Sequence, residues 1–146
     1  MHDPRIDALA KQLAGYSTNL KKDEKVLLDL YDVPDSIGIA LIREVRRRKA
    51  VPFVRIHRAA VNREMLMGAE DEQYATISRH LLTEMKGMDA YIAVRGSNNI
   101  SETSDVKQAN MQLAMKRMRP VIDYRVKKTK WCVFAGRRPR WHSRRV

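Results

Sequence analysis

Lys25-Val26-Leu27-Leu28-Asp29-Leu30-Tyr31 is the stretch on which the reading of this chain turns. It is short and apolar, with Lys21-Lys22-Asp23-Glu24 before it and Asp32-Val33-Pro34-Asp35 after it. A run of that character between polar boundaries reads as a β-strand. Upstream, Asp3 and Pro4 make a helix start, an N-cap followed by proline at the first helical position. Ile6, Leu9, Ala10, Leu13 and Ala14 then follow the spacing of one buried helical face, and Gly15 marks its expected end. Downstream, Asp35 or Ser36 caps a second helix with Ile37, Ala40, Leu41 and Val45 inward. That helix runs out in Arg46-Arg47-Arg48-Lys49, cations that suit the negative end of its dipole.

The alternation continues. Pro52 opens a second strand, Phe53 to Ile56, and a helical region follows from about Asn62 to Met88 with a break near Gly68. Tyr74, Ile77, Leu81 and Met85 share one stripe of it. Ala90 to Val94 is a third strand, followed by the polar loop Arg95-Gly96-Ser97-Asn98-Asn99. Ser104 or Asp105 caps another helix, which Pro120 is expected to end after Arg119. Ile122, Tyr124 and Val126 alternate with polar residues and predict an extended piece; Trp131 to Phe134 is a last strand, cut short by Gly136. Strands alternating with helices at this spacing predict an α/β fold in three layers, a mostly parallel sheet with helices on both faces.

A length of 146 residues fits one domain, and 44% apolar with 32% charged residues excludes a wholly disordered chain. No apolar run approaches the ~20 residues of a membrane span. Met1-His2-Asp3-Pro4 carries no signal or lipidation pattern, and the single cysteine, Cys132, excludes a disulfide framework or thiolate metal cage. The expectation is a cytoplasmic protein without a membrane partner. Net charge is +12, yet Arg137 to Val146 hold five arginines and no acid, so removing them leaves 24 basic against 17 acidic residues. The division predicted is an α/β domain over 3–134 and a basic, disordered tail over 135–146. The basic excess therefore points to non-specific nucleic-acid affinity of the tail at most, since no zinc-finger, RNP or helix-turn-helix pattern accompanies it.

Residues able to do chemistry are few. His2, His57, His80 and His142 lack metal-ligand spacing, and there is no phosphate loop or nucleophile elbow. Cys132 lies in an apolar strand and reads as a small hydrophobe. Asp29 and Asp32 straddle a strand end, either as a carboxylate pair or as an edge and a turn residue. Met111, Met115 and Met118, with Met85 and Met88, read as core packing or as an adaptable partner-facing patch. Because parallel sheets collect ligands at the carboxyl ends of their strands, the candidate cleft comprises Asp32, His57, Arg95 and Asn98. No catalytic residue and no metal ligand is assigned.

The ordered series of segments goes further. Asp3-Pro4-Arg5-Ile6-Asp7-Ala8-Leu9-Ala10, Tyr16-Ser17-Thr18 and Lys25-Val26-Leu27-Leu28 are followed by Leu41-Ile42-Arg43-Glu44-Val45 and Pro52-Phe53-Val54-Arg55. Then come Asp89-Ala90-Tyr91-Ile92, Arg95-Gly96-Ser97-Asn98-Asn99 and Thr129-Lys130-Trp131-Cys132-Val133. Together they resemble the N-terminal part of the thermophilic metallo-aminopeptidases, the aminopeptidase T or leucyl aminopeptidase family. The resemblance covers roughly residues 3 to 133. It implies a hydrolase that removes N-terminal residues from peptides (proteolysis) with two divalent metal ions, zinc, cobalt or manganese, held in a C-terminal domain. No residue here matches the metal-binding motifs, so the resemblance implies a non-metal-binding domain, inactive as this fragment and meeting peptide substrate only within a full-length enzyme. The alternatives are a non-enzymatic basic binding domain acting through the arginine-rich tail and a flavodoxin-like small-molecule binder using the crevice near Arg95 and Asn98. After Trp131-Cys132-Val133 the family continues with a Tyr-Pro-Thr-Pro-like segment, whereas this chain reads Phe134-Ala135-Gly136-Arg137-Arg138-Pro139. A frame change near codon 134 of a longer gene accounts for that departure; a natural basic terminus is the other explanation. The oligomeric state is left open.

Overall fold

The computed structural model describes residues 3–96, 103–137 and 140–144, with 136, 137 and 140–144 described by backbone alone. Asp3 caps the first helix, α1 (Pro4–Lys11): its carboxylate accepts the Arg5 N–H at 2.9 Å, and Pro4 takes the position where its missing N–H costs nothing. Gly15 does not end the helical path. The chain widens into a π-helical segment, Gln12–Ser17, closed by the Thr18 hydroxyl, which donates to the Leu13 carbonyl at 2.8 Å. What Gly15 provides is room: a Cβ there would lie 2.3 Å from a guanidinium nitrogen of Arg48.

The remaining elements are β1 (Lys25–Tyr31), α2 (Asp35–Arg47), β2 (Val51–His57), α3 (Ala59–Met67), α4 (Asp71–Lys86), β3 (Ala90–Arg95), α5 (Gln108–Lys128), β4 (Lys130–Arg137) and β5 (Arg140–Arg144). The sheet order is β2-β1-β3-β4-β5. The first four strands are parallel, and β5 runs antiparallel to β4. This is the three-layer, mostly parallel α/β architecture that the segment order predicts. Strand β1 is an interior strand, between β2 and β3, its core residues Val26 and Leu28 fully buried. Strand β2 lies at the edge, with Ile56 68% exposed, and an edge accommodates Pro52, which has no N–H to donate.

Strand parity divides the core into two clusters. Val26, Leu28, Leu30, Ile92, Val94 and Phe134 pack with Leu13, Ile37, Leu41 and Val45 from the α1 and α2 side. Leu27, Tyr91 and Ala93 point the other way, against Met85 of α4 and Val121 of α5. Cys132 is buried in the first cluster, where it packs as the sequence suggests.

Helix α5 corrects one expectation. Pro120 does not end it, and Ile122, Tyr124 and Val126 are helical rather than extended. An interior proline costs about 3 kcal/mol through a lost hydrogen bond and a ring clash. Burying one aliphatic side chain returns about 1.5–3 kcal/mol. Val121 is fully buried, and Met118 and Tyr124 pack on the same cluster, so tertiary packing outweighs the local penalty. The helix also begins later than Ser104 or Asp105; Asp105 instead pairs with Arg63 of α3.

The stretch 135–146, expected as a disordered tail, contains backbone that continues the sheet. Strand β4 runs through Gly136, and Arg140–Arg144 pairs with it from Arg137↔Arg140 to Val133↔Arg144. The outer edge of β4 offers a row of unpaired backbone groups, and a returning strand satisfies them whatever charge its side chains carry. Among the described residues no helix is long and apolar enough to cross a membrane.

Candidate functional site

The chain order places a crevice where ligands are expected. From β1 the chain moves outward to β2, and from β3 it moves outward to β4, so the connections diverge at the carboxyl ends of β1 and β3. Such a switch point is the usual binding crevice of an open parallel sheet. The two strand ends close tightly here: the Gly96 N–H donates to the Tyr31 carbonyl at 2.7 Å. A Cβ at position 96 would meet the Asp32 carbonyl oxygen at 2.3 Å, so only glycine fits.

Asp29 is the centre of the site. It sits in the middle of β1, 3% exposed, on the face turned toward α4 and α5. A buried carboxylate survives only with partners, and it has three. The Tyr91 hydroxyl donates to Oδ2 at 2.6 Å and the Tyr31 hydroxyl to the same oxygen at 3.0 Å. His57 brings Nε2 to 2.5 Å from Oδ1. Parallel register produces this convergence: Tyr31 follows Asp29 by two residues, and His57 of β2 is paired with Tyr31. Their rings stack with centroids 4.2 Å apart and planes 8° from parallel.

The electrostatics follow. Burial alone would raise the Asp29 carboxyl, but the hydrogen bonds from His57 and Tyr91, the charge His57 can carry and the Tyr31 bond together hold it below the usual carboxylate value. Burial and the adjacent Asp29 charge push the Tyr31 hydroxyl up to about 12. The same two causes carry Tyr91 well above its ordinary value. Both tyrosines therefore stay protonated donors, and Asp29 stays the acceptor.

Three arginines surround this network. Arg55 of β2 forks onto Glu84 of α4 at 2.6 and 2.8 Å. Arg95, at the end of β3, lies over the Tyr31 ring at 5.2 Å, and Arg125 of α5 over the Tyr91 ring at 3.8 Å. Between them and α3, α4 and α5 opens a cleft of about 420 Å³, walled by Leu66, Leu81, Met65, Met115, Met118 and Ile122. The methionines divide between the two readings of them: Met85 and Met88 are core, whereas Met115 is 55% exposed on the cleft wall.

Of the residues expected to form the cleft, His57 and Arg95 do come together, on either side of Tyr31. Asp32 meets His57 but not Arg95, and it does so in a different pocket. Its backbone is left-handed (φ 51°), and its carboxylate accepts the Ala59 N–H at 3.0 Å, holding the start of α3. It lines a separate apolar groove of about 320 Å³ with Val33, Ile39, Ile56, His57 and Arg58. Asp29 and Asp32 thus serve different partners and form no carboxylate pair. Asn98 lies outside the described residues. Sequence reading missed Tyr31, Tyr91, Arg55 and Arg125 as site residues and left Asp29 either in a carboxylate pair with Asp32 or as a residue of the strand edge. One signal was available: an aspartate inside an otherwise apolar strand must have partners. The arginine on α5 was hidden by the expectation that the helix ended at Pro120.

Among the described residues no three His, Cys, Asp or Glu side chains converge as a metal centre requires. What the arrangement offers to a ligand is an apolar wall, a hydrogen-bonded polar floor and arginine side chains around it.

No family model matches the sequence, and no curated protein matches it. Among solved structures, wild-type AmpT from Thermus thermophilus superposes with a TM-score of 0.72 at 16% identity, over 92% of this chain and 36% of that one. VinN superposes at a TM-score of only 0.35 with 9% identity, over 94% of this chain and 33% of the other, which supports no conclusion. The chain spans about a third of AmpT's length and shares the fold of that part.

Proposed function

We propose that this chain is the N-terminal α/β domain of a metal-dependent aminopeptidase, an enzyme that hydrolyses N-terminal residues from peptides. The observation that carries the reading is the superposition on AmpT, an aminopeptidase T, across 92% of this chain. The ordered series of segments from Asp3 to Val133 points the same way. In this reading the two divalent ions, zinc, cobalt or manganese, belong to a further domain, and the present residues contribute the scaffold beside it. A two-metal site needs several carboxylate and imidazole ligands around ions ~3.5–4 Å apart. No such group of ligands exists among the described residues. On the same reading, peptide substrate is met only in a longer enzyme.

The test has two arms. The coding DNA beyond codon 134 is read in all frames, and an aminopeptidase-like continuation rich in His, Asp and Glu is expected in one of them. The chain alone, and the chain joined to that continuation, are then assayed on leucyl-anilide with cobalt, zinc or manganese. Metal-dependent turnover is expected only from the joined protein. Turnover by the chain alone, or no such continuation in any frame, overturns the proposal.

A further inference from the structure

The cleft above β1 and β3 contains cationic groups that its own network does not use. Arg55 is consumed by Glu84, and Asp29 by His57, Tyr31 and Tyr91. Arg95 and Arg125 are each laid on a tyrosine ring, and neither forms an ion pair with a carboxylate among the described residues. Moreover, the Arg125 Nε–H is buried and has no hydrogen-bond acceptor. Buried donors almost always find one, so Arg125 is left unsatisfied at Nε, and the same side chain lines the cleft.

Charge counting defines the acceptor. The cleft is lined by Arg55, Arg95 and Arg125 against Asp29 and Glu84, leaving one positive charge in excess apart from His57. One carboxylate balances it; a dianion would leave negative charge beside the buried Asp29. A guanidinium held flat by a ring keeps the N–H fork at its edge available, and that fork matches a carboxylate. The rest of the cleft is mostly apolar, with Leu66, Leu81, Met115, Met118 and Ile122 in its walls. Methionine side chains adapt to varied apolar shapes. A cleft of about 420 Å³ is of the size that takes a small molecule.

We propose that this cleft is a binding site for a small amphipathic monocarboxylate, its anionic end on Arg125 and Arg95 and its apolar part among Leu66, Leu81, Met115, Met118 and Ile122. The proposal stands apart from the aminopeptidase reading: it needs no metal and is tested on this chain alone.

Phenylbutyrate, phenylbutyramide and inorganic phosphate are titrated into the full chain, followed by calorimetry and by shifts of the methionine methyl resonances. The acid is expected to bind about tenfold or more tighter than its amide, and phosphate more weakly than the acid. Arg125→Gln is expected to bring the acid down to the affinity of the amide. Should that variant fail to fold by thermal melt, Arg95→Gln at the exposed rim carries the test, with a loss of several-fold for the acid and none for the amide. Met115→Trp, which fills the mouth, is expected to weaken acid and amide alike. Equal binding of acid and amide, phosphate binding as tight as the acid, or a preference for the acid that survives both arginine variants overturns the proposal.

Discussion

The two faces of the sheet are made from the same strands and have opposite characters. Toward α1 and α2, Val26, Leu28, Leu30, Ile92 and Val94 form a continuous apolar core. Toward α3, α4 and α5, the alternate residues include Asp29, Tyr31, Tyr91 and Arg95, and the core opens into a cleft. A shift of one residue along β1 passes from one regime to the other, from Leu28 to Asp29. The lesson is a division of labour by strand parity: one face supplies stability, the other spends part of it to fix polar groups.

The sharpest way to break this comparison is to truncate one residue on each face. Leu28→Ala, at a fully buried site, is expected to cost about 2–5 kcal/mol by denaturant unfolding. Asp29→Asn keeps the shape but weakens the acceptor for three donors, and is expected to cost about 1–3 kcal/mol. A larger loss at Asp29 than at Leu28 would place the fold's main support on the polar face, against the division drawn here.

Acid separates the faces next. The folded Asp29 carboxyl lies below its ordinary value of 3.8. Its stabilisation is therefore present above that unfolded value and lost as pH falls through the folded one. Denaturation midpoints compared at about pH 6 and about pH 3 should fall less in Asp29→Asn than in the unaltered protein; equal falls would remove Asp29 from the account. At alkaline pH the sign reverses for Tyr31, whose folded value is raised from 10.0 to about 12. The stability from keeping it protonated is complete below 10 and disappears as pH rises through 12. Tyrosinate absorbance followed with Tyr31→Phe should lose one late transition. The smallest effect belongs to the surface. Arg117 and Asp71 tie α5 to α4, with side chains 42% and 58% exposed. Arg117→Ala is expected to leave the melting midpoint unchanged within error, because solvent screens such a pair.

How much of this was legible depended on whether local and tertiary forces agreed. Lys25–Tyr31 was readable to the residue because its apolar run, its length and its polar flanks agree with its burial. Asp3 and Pro4 likewise state a helix start that nothing overrides. Pro120 shows the opposite case: a strong local signal lost to the burial of Val121 and its neighbours, which depends on β3 and α4 being in place. The site was half legible. His57 and Arg95 could be placed at strand ends from the alternation alone. The role of Tyr91 depends on its register across β3 and β1, where it pairs with Leu27, and no local pattern carries that. Asp32 looked like a site residue because it follows a strand, but a loop aspartate with left-handed backbone was already suited to a cap.

The parallel register also ranks the strand pairings by the length of chain each must close. Strand β1 meets β2 with Lys25 opposite Val51, 26 residues on, but meets β3 with Val26 opposite Ala90, 64 residues on. Closing the longer loop costs about 0.8 kcal/mol more in chain entropy. The β1–α2–β2 contacts, His57 with Tyr31 and Asp29, are therefore the cheaper ones to close in chain entropy, and those with Tyr91 the dearer. Burial of Asp29 needs both flanking strands, so its desolvation is tied to the longer of the two closures.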